Sequence, residues 1–337
     1  RFNERIRVAG EVIDDENLCE ILEICEEANK GRPITFFEIT TVAAMVAFSR
    51  APADVVLLET GLGGRFDATN IIRSAALTVI TPVSLDHQQY LGDTLGQIAA
   101  EKAGIIKPDV PCIVARQSPE AEDVIQETAA EVGAPLVVED LDWTIRYGLE
   151  TLVVNSGGDI RELSRPALEG PHQARNGGVA VTALERLEGF TLTDQAISEG
   201  FEKAEWPARL QRLRRGRLRA KLGQEFALWL DGGHNRSASD ALAAWLAERD
   251  RMPLHLVLGM LNTKDPGAFL EPLRPYLYSL QTVGIPGTKA ALTAQELATA
   301  AGEAGFEAIP APDVAGALKE IANQEPGPAR VLIAGSL

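Results

Sequence analysis

Three apolar runs in this chain end on an acid or an imidazole with glycine close by. LLETGLGGRFDATN (57–70) stops on Glu59, TPVSLDHQQYLGDT (81–94) carries Asp86 and His87, and LWLDGGHN (228–235) carries Asp231, His234 and Asn235. Ligands of open parallel sheets sit beyond the carboxyl ends of the strands. One such ending is usually a helix cap or a solvated loop, but three on the functional edge point to a site. Glu59 and His87 could together hold Mg²⁺ or Mn²⁺ where water and phosphate oxygens complete the shell. They are too few for structural zinc, and no Cys–His cluster accompanies them. The glycines after Glu59 imply either a tight turn or a backbone brought close to a ligand. GLGG is not a phosphate loop, because no Lys-Ser or Lys-Thr follows it, and no GxxxxGK[ST] occurs in the chain.

Lys102, in AAEKAGIIK, falls near the end of a helix, where a cation is ordinarily a favourable partner for the helix dipole. Lys107 could fill that role as well, leaving Lys102 for another. Arg209, in WPARLQ, stands at a domain junction from which it could reach a phosphate. Arg212, Arg214, Arg215, Arg217 and Arg219 read as a solvated basic linker.

These residues need a scaffold. PITFFEITTVAAMVAFSR (33–50) has helical spacing at Phe36, Phe37, Thr40, Ala44 and Phe48. ADVVLLE (53–59) and ALTVITPV (76–83) read as strands, the first buried on both faces. DTLGQIAAEKAGIIK then reads as a helix with Thr94 and Gln97 at capping-box spacing. VPCIVAR is a strand, SPEAEDVIQETAAEVG a helix with Pro119 in its first turn and Gly133 at its end, and LVVED a strand. The alternation predicts a mainly parallel sheet with right-handed crossovers. WTIRYG and ETLVVNS look antiparallel, and helices return in ARNGGVAVTALERL and TDQAISEGFEKA. From EFALWL onward strands and helices alternate again, to the helix after Asp313 and the strand RVLIAGSL. The expected division is 1–205 and 206–337, the second part a smaller open α/β sheet.

At 337 residues two domains are expected. Apolar residues make up 45% and charged residues 24%, a soluble globular composition. No apolar run suits a membrane span, and the first residues carry no hydrophobic signal region. A net charge of −16 argues against nonspecific nucleic-acid binding, while leaving room for a small anion in a local basic pocket. Cys19, Cys25 and Cys112 lack metal spacing and read as reduced, buried thiols of a cytoplasmic protein.

ETGLGGRFDATNII, SLDHQQYLGDTLGQIAAEKAGIIKP, GPHQARN, WPARLQ and LDGGHN occur in the order found in the folylpolyglutamate synthase and dihydrofolate synthase family of the Mur ligase superfamily. The resemblance runs from about Arg1 to Leu337. It implies an α/β protein with a Mur-ligase-like, mainly parallel ATPase-type sheet domain followed by a smaller Rossmann-like domain. It also implies an ATP-dependent ligase in which the γ-phosphate passes to a substrate carboxylate and the amine of L-glutamate attacks the acyl phosphate. The acceptor would be dihydropteroate, a reduced folate, or both. A monofunctional folylpolyglutamate synthase and a noncatalytic folate- or nucleotide-binding relative are the alternatives.

Carried over by motif, Glu59 and His87 are Mg²⁺ ligands. Lys102 matches the lysine carbamylated to N6-carboxylysine in the family, and Lys102, His87 and Arg209 take the catalytic roles. Asn176, Arg209 and Asp231 match ATP-contacting positions, with His234 beside them. Thr35, Phe36, Phe37, Glu38, Phe66, Asp67 and Ala68 match positions around the pterin. The resemblance further implies a cytoplasmic monomer. The family's phosphate loop and Ser-Pro-His loop precede the segment matched by Arg1, so a truncated chain is expected.

Overall fold

The computed structural model describes residues 2–148, 150–325 and 327–336. The chain divides into two compact units, one made of Arg1–Val83, His87–Cys112 and Gln117–Leu136, the other of Ser84–Asp86, Ile113–Arg116 and Val137–Leu337.

In the first unit a short antiparallel hairpin, β1 (Arg7–Val8) and β2 (Glu11–Val12), leads into α1 (Asp15–Asn29) and α2 (Phe36–Arg50). Asp14 caps α1 by accepting the Asn17 N–H, and Thr35 and Glu38 cap α2 reciprocally. Leu18, Ile21 and Cys25 of α1 pack on Ala43 and Ala47 of α2, with Ile6 and Ile13 closing the cluster. Burying one such aliphatic side chain contributes roughly 1.5–3 kcal/mol.

β3 (Thr78–Ile80), α3 (Gln88–Leu91), α4 (Leu95–Ala103), β4 (Cys112–Val114), α5 (Pro119–Val132) and β5 (Leu136–Val138) follow. The Thr78 N–H donates to Pro111 O and the Cys112 N–H to Pro135 O, consistent with the sheet order β3-β4-β5. The capping box at Thr94 and Gln97 is present. Ser118 caps α5, Pro119 occupies its first turn, and Gly133 ends it in the left-handed conformation at φ +72°.

The second unit opens with an antiparallel meander, β6 (Trp143–Tyr147), β7 (Thr151–Ser156) and β8 (Asp159–Ser164), on which α6 (Pro171–Leu184) packs. A Cβ on Gly178 would stand 2.9 Å from Ile145 and 3.1 Å from Trp143, so glycine is what admits the helix so closely. α7 (Asp194–Lys203) adds Ile197 to that core.

The remaining strands form one sheet: β9 (Gln211–Arg212), β10 (Phe226–Asp231), β11 (Leu254–Gly259), β12 (Leu277–Thr282), β13 (Ile309–Pro310) and β14 (Ala329–Gly335). Their order is β13-β12-β11-β14-β10-β9, and every pairing is parallel except that of β9 with β10. α8 (Arg236–Ala247), α9 (Pro266–Leu270), α10 (Ala294–Glu303) and α11 (Val314–Gln324) connect the strands. β11 and β14 are buried along their whole length, as parallel strands covered on both faces must be.

Two expectations are corrected. Residues 53–59 are not a strand: they pair with no strand among the described residues, and Val55, Val56 and Leu57 are exposed, Leu57 by 92%. An apolar run becomes a buried strand only where neighbours supply hydrogen bonds and cover, and this one has neither. Glu59 therefore follows an extended segment. Lys107 Nζ donates to Asn70 Oδ1 at 2.6 Å, and Asn70 Nδ2 donates to Gly104 O just beyond α4. Cys25 and Cys112 are buried as expected, but Cys19 is exposed. Burial pushes the Cys112 thiol up to about 11.

Candidate functional site

In the first unit, Asp67 holds the glycine-rich loop together. Its Oδ2 accepts the N–H groups of Gly61 (2.8 Å) and Leu62 (2.9 Å), and its Oδ1 accepts the N–H and hydroxyl of Thr69 (2.9 and 2.7 Å). Gly63 takes φ +65°, and a Cβ on Gly64 would stand 2.9 Å from Glu101 O. A Cβ on Gly61 would lie 2.3 Å from the Phe37 ring. The loop is tied to the end of α4, where Arg65 N–H donates to Glu101 O (2.8 Å) and Asn70 Nδ2 to Gly104 O (3.0 Å).

Two aromatic rings stay accessible beside this framework: Phe66 is 86% exposed and Phe36 58%. Arg5 stands 5.5 Å from the Phe36 ring centre. Thr35 and Glu38 are committed to the α2 cap, and the Thr35 hydroxyl holds the Glu38 carboxyl below its ordinary range. Ala68 opens the short 3₁₀ turn Ala68–Ile71 that Asp67 caps.

Glu59 and His87 are exposed, and Lys102 is half-buried in the last turn of α4. His87 precedes α3 in the left-handed region, φ +52°, with its carbonyl accepting from Tyr90 and Leu91. A non-glycine residue there is uncommon. Among the described residues no group of three or more His, Cys, Asp and Glu side chains is gathered for a metal. The donors present are one carboxylate and one imidazole, both reachable from solvent. That set fits a hard cation sharing its shell with water and phosphate oxygens.

In the second unit, Asp231 ends β10 at 6% exposure and joins two sequence motifs. Its Oδ2 accepts the Leu210 N–H (2.8 Å) and its Oδ1 the Gly233 N–H (2.7 Å). The Gly232 N–H donates to Ala208 O (2.8 Å), and Ala208 and Leu210 both take positive φ, +57° and +44°. Arg209 lies between them and is exposed. The strained turn is thus fixed to the strand end from both sides.

His172 is one of two residues of this cluster that sequence reasoning missed. Burial pushes its imidazole down, Asp231 acts against that shift, and Arg209 adds to it. Asn176 stands four residues further along α6, hence on the same helix face, with its Nδ2 donating to Gln173 Oε1. The signal was in GPHQARN itself, where His and Asn are one helical turn apart. Asp231 and Arg209 therefore both lie within electrostatic reach of His172. The Nδ1–H of His234 donates to Gly232 O (3.0 Å), and Asn235 caps α8 through the Ala238 N–H.

Asp86 and Lys264 complete this cluster. Asp86 accepts from Asn235 Nδ2 and from Lys264 Nζ, each at 2.7 Å. Lys264 was not singled out from the sequence, because nothing in LNTKD sets it apart from a surface lysine.

No family model matches the chain. It is 36% identical over 294 residues to the dihydrofolate synthase/folylpolyglutamate synthase of Mycobacterium tuberculosis, covering 82% of this chain and 58% of that protein. It thus spans less than two thirds of that relative's length. It is 30% identical over 325 residues to the folylpolyglutamate synthase of Lacticaseibacillus casei, covering 92% of this chain and 71% of the relative. Among solved structures, a bifunctional folylpolyglutamate synthase/dihydrofolate synthase with Mn, AMPPNP and L-glutamate bound aligns with a TM-score of 0.85 at 29% identity. That alignment covers 100% of this chain and 77% of the other.

Proposed function

The chain belongs to the folylpolyglutamate synthase/dihydrofolate synthase family, with its Mur-ligase-like α/β fold, and from that premise we propose that the whole protein is an ATP-dependent glutamate ligase. It joins the amine of L-glutamate to a carboxylate of dihydropteroate, of a reduced folate, or of both. The observation that carries the reading is the cluster at the end of β10. Asp231 fixes the Arg209 turn and the His234 loop to one strand end, with His172 alongside. The reading is supported by the exposed Arg209 next to the Leu210 amide that the buried Asp231 carboxylate accepts, at the carboxyl end of β10, the edge where nucleotides are held in such sheets.

In the proposed reaction the γ-phosphate of ATP is transferred to the acceptor carboxylate, forming an acyl phosphate. The glutamate amine then attacks the acyl carbon, and the tetrahedral intermediate collapses to the amide with loss of inorganic phosphate. Asn176, Arg209, Asp231 and His234 would hold ATP, with Arg209 neutralising phosphate charge. Glu59 and His87 would hold Mg²⁺, which when bound supplies charge neutralisation on the phosphates. Lys102 would carry the carbamate. As an anion at a helix C-terminus that group needs cations nearby, because the dipole disfavours it there. Phe36, Phe37, Phe66 and Ala68 would wall the pterin, supported by the exposed aromatic rings, while Thr35, Glu38 and Asp67 shape the wall through their own hydrogen bonds.

The proposed division of labour gives ATP, metal and folate binding to residues 1–205 and glutamate ligation to 206–337, with Arg209, Asp231 and His234 of the latter also contacting ATP. A cytoplasmic monomer without a nucleic-acid partner completes the reading, the last part supported by the net charge of −16. No helix of the described residues is long and apolar enough to cross a membrane. The test is glutamate ligation by the whole protein, with dihydropteroate and tetrahydrofolate offered separately. Amide product and stoichiometric phosphate release are expected with at least one acceptor. Absence of both products with either acceptor would remove the ligase reading.

A further inference from the structure

A cavity of about 310 Å³ lies in the second unit between the segment 165–170 and the end of α8. Arg165, Glu169, Gly170, Trp245, Glu248 and Arg249 line it. It is far along α8 from the His234 loop that begins that helix, and the ligase reading does not use it.

The charges around its indole wall are poorly matched. Arg249 stands 4.8 Å from the Trp245 ring centre, and Arg330, the second residue of β14, stands 5.3 Å from the same ring. Arg330 is only 7% exposed. Among the described residues its guanidinium has no carboxylate within ion-pair distance and no hydrogen-bond acceptor; its electrostatic neighbours are Arg249, which opposes its charge, and Asp250, which favours it. Burial and Arg249 both act against its charge. Stacking on an indole only partly offsets the removal of a guanidinium from water. Arg249 has a carboxylate partner in Glu169, yet its Nε is buried without an acceptor. Trp245 is 1% exposed, and its Nε1–H is likewise unsatisfied. Buried donors without acceptors are rare in folded proteins, and two at one indole wall, Trp245 Nε1 and Arg249 Nε, call for an acceptor the chain does not supply. α6 begins at the same wall, where Gly170 provides no side-chain cap and the helix presents its positive end.

We propose that this cavity is an anion-binding site for a small phosphate or carboxylate ion, held by Arg249 beside Trp245, with Arg330 adding positive charge by the same ring. Its volume admits such an ion together with water at about 30 Å³ per molecule. Glu169 competes for Arg249, so the site is tuned weaker than its donors alone would make it.

The experiment follows the Trp245 indole N–H in a ¹⁵N-labelled full chain, its signal identified by Trp245→Phe. Inorganic phosphate and succinate are titrated in separate arms at constant ionic strength, with chloride as the reference. A saturable shift in one arm assigns the class of anion, and a shift in both assigns a general oxyanion site. Arg249→Gln should weaken binding roughly tenfold or more, the loss of a charge-assisted hydrogen bond. Glu169→Gln should strengthen it. No saturable shift in wild type and in Glu169→Gln, or an equal shift with chloride, overturns the site. Arg330→Met is the direct test of the buried charge. If it fails to fold, the opposed effects of Arg249→Gln and Glu169→Gln still decide the matter.

Discussion

Asp67 accepts four hydrogen bonds, two from the Gly61 and Leu62 amides and two from Thr69. It is 8% exposed, so its carboxylate is a buried acceptor facing donors on both oxygens. The motif suggested a residue near the pterin, and its type was legible. Its work inside the loop was not, because sequence spacing does not show which amides turn towards a side chain. The same holds for the glycines: Gly63 needs its positive φ, whereas Gly61 is required because a Cβ would enter the Phe37 ring. In Asp67→Asn one oxygen becomes an NH₂ group that must face donors whichever way the amide turns. A loss of about 1–3 kcal/mol in stability is expected. Urea unfolding measures it, and an unchanged midpoint would mean that the loop finds other acceptors.

At the scale of elements, the contact of Gly61 with Phe37 joins the loop to the first turn of α2. Gly61→Ala must push the ring aside, an overpacking change that costs about 1–3 kcal/mol. The penalty should shrink in Phe37→Leu, so a double-mutant cycle by urea unfolding should give a coupling energy of opposite sign to the single change. Additive effects would show that ring and loop do not meet. Elements with local signals were legible: the box at Thr94/Gln97, and Pro119 with Gly133 around α5, lie where their sequences predict, while the box at Thr35/Glu38 was not singled out. β8 was missed because DIRELS has only Leu163 buried and so shows no alternation. α1 was missed because six acids obscure the spacing of Leu18, Ile21 and Cys25. Residues 53–59 were misread for the opposite reason. Their apolarity is real, but strand formation depends on partners, and partners are a tertiary property.

Across the whole molecule, the closing sheet was the most legible part, because β10, β11 and β14 are largely apolar runs and strands and helices alternate through it. The pairing of buried groups was least legible, and it governs how the fold responds to acid. Burial pushes two of the four histidines, His172 and His255, below the ordinary 6.5. His255 is 3% exposed, with Nδ1 2.8 Å from the Ser279 hydroxyl and Nε2 3.4 Å from Glu325, whose charge only partly opposes the shift. A histidine depressed by folding binds its proton more readily in the unfolded chain. Its contribution is complete above pH 6.5 and is lost as pH falls through the folded value. Glu38, Asp140 and Glu296 are also held low, but their ordinary values lie at 4.5, 3.8 and 4.5, so their loss begins at lower pH. Stability should therefore fall in two steps, the first beginning near pH 6.5 with a slope of at most about 1.4 kcal/mol per pH unit for each histidine. Urea unfolding between pH 7.5 and 4.5 should show that first step in wild type and not in the His172→Gln/His255→Gln double variant. A first step of the same size in the double variant would place the acid sensitivity elsewhere.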